Sequence, residues 1–486
     1  MKNPPVIVWF RQDLRIHDNP AFFYAAKTKA PLLLVYILDT KTKQWQPGAA
    51  SRWWLHHSLD ALSKELSQKY QAKLILTMGN PAQIIPSLVK EHQATAVYWN
   101  RCYEPQAILR DQEIKQDLMN KKIEVHSFNG ALLKEPWEVL NKSKQPFKVF
   151  TPFWKALQQH IMREILPAPA QFISVKAQSL NLEAYHLLPT LPWDNGLKEN
   201  WVPGEVAAKN HLKQFLTKHV KDYKVLRDYP KLRATSRLSP HLHFGEISPI
   251  QIWHAAMAFK DKNASLQTDI MHFLSEIAWR EFSNYLLYYF PELPDKAYQT
   301  AFNHFPWEIN KKYLSAWQKG LTGYPIVDAG MRELWHTGWM HNRVRMIVAS
   351  FLIKHLLQPW QSGEAWFWDT LVDADLANNA ASWQWVAGSG ADAAPYFRIF
   401  NPIIQGEKFD KDGEYVKQWV PELKQLEAKF VHKPWEAPDN VLKQAGIRLG
   451  QDYPLPIVNH ESARKKALAA YKKLPKITTK KRPNQG

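Results

Sequence analysis

Val6-Ile7-Val8-Trp9-Phe10-Arg11-Gln12-Asp13-Leu14-Arg15 begins with an apolar run and continues as a polar run without glycine. A continuous apolar run rich in β-branched residues reads as a strand buried on both faces. Similar runs recur at residues 32–38, 74–78, 96–100 and 124–128, and amphipathic segments at 20–29, 51–70, 81–92 and 105–122 lie between them. Strands alternating with helices predict a parallel doubly wound sheet with right-handed crossovers, an α/β domain over residues 1–130. The polar run has a further meaning. A dinucleotide fold of the usual kind needs glycine after its first strand, so that pyrophosphate can approach the backbone. Here that place holds Arg11, Gln12 and Asp13, so a dinucleotide must bind elsewhere in the chain.

From residue 166 to 204 the pattern lapses around Pro167, Pro169, Pro189, Pro192 and Pro203. The whole stretch 131–204 reads as an inter-domain connection. Beyond it helical spacing at 270–289, 324–336, 342–357 and 366–373 predicts an all-α domain over 205–460, followed by a basic helix and tail at 461–486. The chain of 486 residues, 45% hydrophobic and 22% charged, is long enough for two or three globular domains. Its net charge of +18 favours a polyanionic partner such as nucleic acid. On charge alone a merely solvated basic surface fits equally well. Cys102 is the only cysteine. That excludes an internal disulfide and any multi-cysteine metal site, and fits a cytoplasmic protein. No metal site is expected, and no apolar run has the length of a membrane span.

Four segments of the helical half carry polar groups in patterns that suit a ligand. Thr235, Ser236, Arg237, Leu238 and Ser239 lead into Pro240, with Ser239 read as an N-cap. Hydroxyls and free N–H groups at a helix start bind phosphate, although a capped helix without ligand has the same spelling. Glu276, Trp279 and Arg280 share a helix face at i, i+3 and i+4. That spacing makes either a polar pocket with a stacking wall or a surface Glu276–Arg280 pair beside a core tryptophan. In Trp339-Met340-His341-Asn342-Arg343-Val344-Arg345-Met346, two arginines sit beside Asn and His after Gly338. Asp375, Asn379 and Trp383 form an i, i+4, i+8 stripe of carboxylate, amide and indole, an unusual set for a core.

Together these segments resemble the FAD-binding domain of the photolyase/cryptochrome family. The resemblance extends through residues 323–332 (GYPIVDAGMR), 337–343 (TGWMHNR) and 397–402 (FRIFNP), and at the N-terminus through 8–15 (VWFRQDLR) with Asp18-Asn19. Within the family the pocket residues are most similar to those of cyclobutane pyrimidine dimer photolyases of the class I and class III-like branches. The resemblance implies an α/β antenna domain ahead of a helical domain that holds FAD. It places Tyr223, residues 235–239, Phe273, Arg280, Asn342, Arg345, Asp373, Ala374, Asp375 and Asn379 around the flavin, with Asn379 facing its N5. It makes Glu276 the hydrogen-bond partner of a flipped-out dimer, and Trp279, Trp385 and Met346 the walls of its pocket. Arg227, Arg280, Asn342, Arg343 and Gln405 become substrate or DNA contacts. Trp383, Trp360 and Trp307 match an electron-hopping chain, a role that spacing alone does not reveal.

The implied activity is light-driven splitting of pyrimidine dimers in UV-damaged DNA by a monomer. A second antenna chromophore, a folate such as methenyltetrahydrofolate or a deazaflavin, is also implied. The folate-binding photolyases place an Asn-Glu pair after the fourth strand; this chain has Gln106 and Ala107 there. Asn378-Asn379-Ala380-Ala381-Ser382 with Ala393-Ala394-Pro395-Tyr396 is similar instead to a branch close to plant cryptochromes. The competing readings are a cryptochrome-type photoreceptor, a single-strand-specific DASH-type photolyase, and a nucleic-acid-binding protein without cofactor. Glu276, Trp279, Trp385 and Asn379 argue against the photoreceptor.

Overall fold

The computed structural model describes residues 4–42, 44–393 and 397–475. Two compact units divide the chain: Met1–Pro291 with Leu334–Trp339 and Phe367–Asn379, and Glu292–Glu333 with Met340–Trp366 and Ala380–Gly486. The expected boundaries at 130, 204 and 460 follow secondary-structure composition. By compactness, the first unit continues beyond its sheet through the helix Gln267–Tyr289.

In the first unit, strands β1 (Val6–Phe10), β2 (Leu32–Asp39), β3 (Ile75–Gly79), β4 (Ala96–Asn100) and β5 (Glu124–Phe128) form one parallel sheet in the order β3-β2-β1-β4-β5. Helices α1 (Pro20–Lys27), α2 (Ala49–Tyr70), α3 (Pro81–His92) and α4 (Pro105–Asn120) connect the strands. The period-2 alternation of the strands sorts their side chains into two cores. Val6, Val8, Phe10, Leu32, Leu34 and Tyr36 pack with α1 and α2, including Trp53 and Trp54. Ile7, Trp9, Leu33, Val35 and Ile37 pack with α3 and α4. Both faces being apolar is why the strands read as continuous runs. Each fully buried Leu, Ile or Val contributes about 1.5–3 kcal/mol.

The strand order reverses between β1 and β4, the point at which open α/β sheets ordinarily receive a ligand. Here protein groups occupy it. Asn100 donates from Nδ2 to Asn19 Oδ1 at 2.7 Å and to Asp13 Oδ2, and Ala21 N–H donates to its Oδ1 at 3.2 Å. Arg15, 0% exposed, donates to the carbonyls of Asp18 (2.7 Å), Gly130 (2.7 Å) and Gly245 (2.8 Å). Gly245 has φ +66, and a Cβ there would lie 2.1 Å from the Gln12 carbonyl oxygen. The missing glycine-rich turn is thus matched by a switch point packed with side chains.

The second unit is helical among its described residues. Three expected boundaries differ. The helix expected over 366–373 is Trp360–Thr370, beginning directly after Pro359. The segment 342–357 forms an α-helix only over Asn342–Ser350 and widens to a π-helical turn at Phe351–His355. The expected C-terminal helix forms over His460–Lys472. The chain after residue 475, and Ala394, Pro395 and Tyr396 of the branch-specific spelling, lie outside the described residues. No helix among the described residues is long and apolar enough to cross a membrane.

Removing the Arg15 guanidinium leaves three buried carbonyls without their donor, while the Asp18 carboxylate keeps Arg163. Arg15→Met is therefore expected to destabilise the first unit by about 3–5 kcal/mol, read as a lowered melting midpoint. Arg52→Met is the control: Arg52 is exposed and its contact is the Pro47 carbonyl. An Arg15→Met midpoint equal to that control would refute the clasp.

Candidate functional site

In the first unit, the hydroxyl segment lies just ahead of the short helix Ser239–His243. Arg237 adopts a left-handed φ of +52. The chain thus turns one residue early, and Leu238, at φ −85 and ψ −5, takes the cap position. Ser239 is consequently not the N-cap expected from its spelling. It is the first helical residue, exposed, and its Oγ donates to Asp373 Oδ2 at 2.6 Å, a carboxylate being the stronger acceptor. Arg237 lies between two indoles, its guanidinium carbon 4.1 Å from the Trp201 ring centroid and 5.1 Å from that of Trp339. Tyr223 and Phe273 are buried together, with ring centroids 5.9 Å apart.

Asp375 directly precedes the helix Leu376–Ala387 and caps it, accepting from Asn378 N at 2.9 Å. The expected stripe accordingly begins with a capping carboxylate, followed by Asn379 and Trp383 within the helix. Burial opposes ionisation of Asp375, but contact with His243, the charge of Arg280 and the Asn378 N–H together bring its pKa down to about 2. Asp373 and Asn379 are buried. Arg280 donates to the Ala131 carbonyl at 2.9 Å and pairs with Glu281 at 3.1 Å. Burial raises the Glu281 pKa to about 7 despite that partner. The Glu276–Arg280 pair that the sequence allowed is thus not the one formed.

Glu276 pairs with Arg227, whose Nη2 lies 2.9 Å from Oε2. The second guanidinium nitrogen, Nη1, is 3.2 Å from His272 Nε2. Trp279 stacks flat on Phe150, with centroids 3.8 Å apart and planes at 9°, so one of its two faces is already covered. Phe150 begins the helix Phe150–Leu157, inside the stretch read from sequence as connection. No local pattern pairs it with Trp279. Their partnership depends on packing between residues far apart in the chain.

In the second unit, Asn342 opens the helix Asn342–Ser350 and is exposed, with His341 at the N-cap accepting from Arg343 N at 3.2 Å. Arg345 Nε donates to the Met340 carbonyl at 2.7 Å. Arg343 lies 3.7 Å from the Met346 sulfur and over the ring of Phe409 at 4.5 Å. Phe409 ends the helix Pro402–Phe409, which also carries Gln405. The expected DNA contacts Arg343 and Gln405 are therefore on packed neighbours. Trp383 and Trp360 are 2% and 1% exposed, whereas Trp307 is half-buried beside Phe305, centroids 4.2 Å apart. Trp385 is half-buried. A Cβ on Gly363 would lie 2.0 Å from Trp383 Cη2, so this glycine lets the indole lie against the backbone of the helix that begins at Trp360. Sequence reasoning did not single out Gly363, nor Trp317, which packs edge-on to Trp383 at 6.3 Å.

The donor set fits FAD. The half-buried Thr235 and Ser236 hydroxyls and the charge of Arg237 suit a pyrophosphate, while ionised Asp375, buried Asp373 and the Asn379 amide suit hydroxyls and ring N–H groups. Residues 273–473 match the family model "FAD binding domain of DNA photolyase", and residues 6–171 match that of DNA photolyase. The chain is 51% identical, over 98% of its length and 100% of the relative's, to the deoxyribodipyrimidine photo-lyase of Agrobacterium fabrum. It is 39% identical to Cryptochrome-2 of Arabidopsis thaliana, over 94% of this chain and 77% of that protein. Its fold superposes with a TM-score of 0.94 on a bacterial class III photolyase from Agrobacterium tumefaciens, 51% identical, covering 97% of this chain and 98% of that one. A cryptochrome from Synechocystis follows at a TM-score of 0.88 and 30% identity, covering 97% and 100%. Sheet, helical FAD-binding domain and full-length identity agree, and the chain belongs to the photolyase/cryptochrome family.

Proposed function

We propose that this protein is a deoxyribodipyrimidine photo-lyase that splits cyclobutane pyrimidine dimers in UV-damaged DNA as a monomer. The observation that carries the reading is the shared face of Glu276 and Trp279, a carboxylate beside a half-buried indole. It sits in a chain 51% identical along its whole length to a deoxyribodipyrimidine photo-lyase. The cofactor is FAD, and the chemistry it supplies when bound is reversible donation of one electron after light absorption. A second, light-harvesting chromophore, a folate or a deazaflavin, belongs to the same reading. Gln106 is exposed and Ala107 buried at the start of α4, so these positions offer a folate no carboxylate. In this reading residues 1–130 serve as the antenna domain and residues 205–460 hold FAD and DNA.

The roles of the chain's own residues follow from their chemistry. Thr235, Ser236 and Ser239 hold phosphate by hydroxyl and main-chain donors, and Asp373 and Asp375 accept from hydroxyls or ring N–H groups. Asn379, a neutral amide, hydrogen-bonds at the flavin without readily giving up a proton. Arg343 and Gln405 contact the DNA backbone. The half-buried Trp279 and Trp385 take the place of stacking lost when the dimer leaves the duplex. Glu276 hydrogen-bonds the dimer's base edge and holds it in place once the base carries extra charge. Trp383, Trp360 and Trp307 run from buried to half-exposed and relay electrons inward when resting FAD must be reduced.

These roles separate experimentally. In pre-reduced enzyme at saturating protein, Glu276→Ala should lower the yield of dimer splitting several-fold while DNA affinity changes little, because the contact matters most in the charged state. Trp279→Ala should instead weaken lesion binding by about 1–3 kcal/mol with near-normal splitting of what is bound. Absence of splitting by the unmodified protein under blue light would favour the photoreceptor reading.

Trp383→Phe should abolish light-driven reduction of oxidised FAD, followed by its absorption spectrum, because phenylalanine is much harder to oxidise. Splitting by chemically reduced enzyme should persist. Undiminished photoreduction would remove Trp383 from the relay.

Salt dependence offers a third check. Arg343→Ala should weaken damaged and undamaged DNA alike and flatten the slope of log affinity against log salt by about one. A loss confined to damaged DNA would place Arg343 on the lesion instead.

A further inference from the structure

His272 and Glu276 stand one turn apart on the same face of the helix Gln267–Tyr289. Arg227, at the end of the short helix Tyr223–Leu226, reaches across to both. Its Nη2 is 2.9 Å from Glu276 Oε2, and its Nη1 contacts Glu276 Oε1 and lies 3.2 Å from His272 Nε2. A guanidinium has donors only, so His272 Nε2 must present its lone pair and the ring must be neutral. Both side chains that the function requires on DNA, Arg227 and Glu276, are thereby spent on each other in the free protein. Arg227 is 13% exposed and Glu276 29%, so the pair is reachable from solvent.

We propose that His272 is a positioning residue that holds Arg227 on Glu276 in the free enzyme and lets it go when DNA binds. This rests on the reading of Arg227 as a DNA contact and Glu276 as the dimer's partner. A backbone phosphate competes for Arg227, and its departure uncovers Glu276 for the base edge. The carboxylate is therefore capped until DNA has docked. Proton linkage follows. In the free protein His272 is held below the usual imidazole range, by burial first and then by Arg227; Lys224 acts in the same sense, while Glu276 and Asp228 oppose it. The Tyr223 ring lies 6.1 Å away. When Arg227 leaves for a phosphate, the imidazole loses its nearest cation and its affinity for a proton rises. DNA binding then takes up a proton and tightens as pH falls through the imidazole range.

Undamaged and dimer-containing duplexes serve as probes, with the FAD-loaded protein and fluorescence anisotropy between pH 5.5 and 8. The unmodified protein should tighten on both duplexes as pH falls, with a component of about threefold to tenfold assignable to one proton. His272→Gln keeps an acceptor for Arg227 but does not titrate. It should match the unmodified protein at pH 8 and lose that component. His272→Leu removes one acceptor of Arg227, leaves the Glu276 pair alone to hold it, and should bind both duplexes about threefold to tenfold tighter at pH 8. A pH component that survives in His272→Gln, or an unchanged affinity at pH 8 in His272→Leu, overturns the proposal. A second measurement needs no DNA. The His272 imidazole, assigned by NMR from the signal lost in His272→Gln, should titrate at higher pH in Arg227→Met, and an unmoved titration overturns the contact. Loss of DNA binding by the unmodified protein would count against the repair function itself, whereas intact binding with an inert His272 counts against this device alone.

Discussion

A fully buried guanidinium holds the first unit together. Arg15 has no water to solvate it, and the carbonyls of Asp18, Gly130 and Gly245 take water's place. Main-chain oxygens cannot shift without moving their segments, so satisfying this one cation fixes three pieces of chain at once. The loop after β1, the turn after β5 and the turn after Ser239–His243 are set in register by it. The Gly245 turn can come this close only because no side chain stands between it and the Gln12 carbonyl. The hydroxyl segment at residues 235–239 is thereby referenced to the sheet, and a ligand held by those hydroxyls inherits that reference.

Because the clasp and the Asn19–Asn100–Asp13 cage fill the switch point of the sheet, the place where such folds ordinarily take a nucleotide is closed. The chemistry moves to the helices, where environment sets the ionisation of similar groups far apart. Asp375, beside His243 and Arg280, stays an anion with a pKa near 2. Glu281, buried next to the same Arg280, is raised to about 7. One acid is a permanent acceptor and the other is poised at neutrality, a division made by desolvation against charge.

What could be read before the structure was whatever repeats locally. The starts and ends of the five strands agree to within a residue, and β1, β2 and β4 were legible because burial on both faces leaves apolar runs, whereas the edge strand β5 is half-exposed and mixed in polarity. The family's motifs were legible as spellings, and the roles proposed for Glu276, Asp375 and Asn379 rest on their places in those motifs. Partners were not. Ser239 looked like a cap because serine before proline usually is one, but the left-handed turn at Arg237 shifts the cap to Leu238. Arg280 looked like the partner of Glu276 by helical spacing, yet Glu276 pairs with Arg227 through a tertiary contact and Arg280 with its chain neighbour Glu281. Phe150 under Trp279, Trp201 and Trp339 around Arg237, and Gly363 against Trp383 all depend on approaches that no window of sequence contains.

The Arg15 clasp also bears on how the chain is made. Its acceptor at Gly130 is 115 residues downstream and that at Gly245 is 230. The start of α2 waits longer still, since Ala49 N–H and Ser51 Oγ bond to Asp369 and Leu371, 320 residues away. At ribosomal speeds of about 5–20 residues per second, roughly 15–65 s separate the synthesis of these partners. The amino-terminal sheet therefore emerges first and is completed last. In the interval the Arg15 cation and the start of α2 lack these partners, so this unit is complete only once the chain has been made past Leu371.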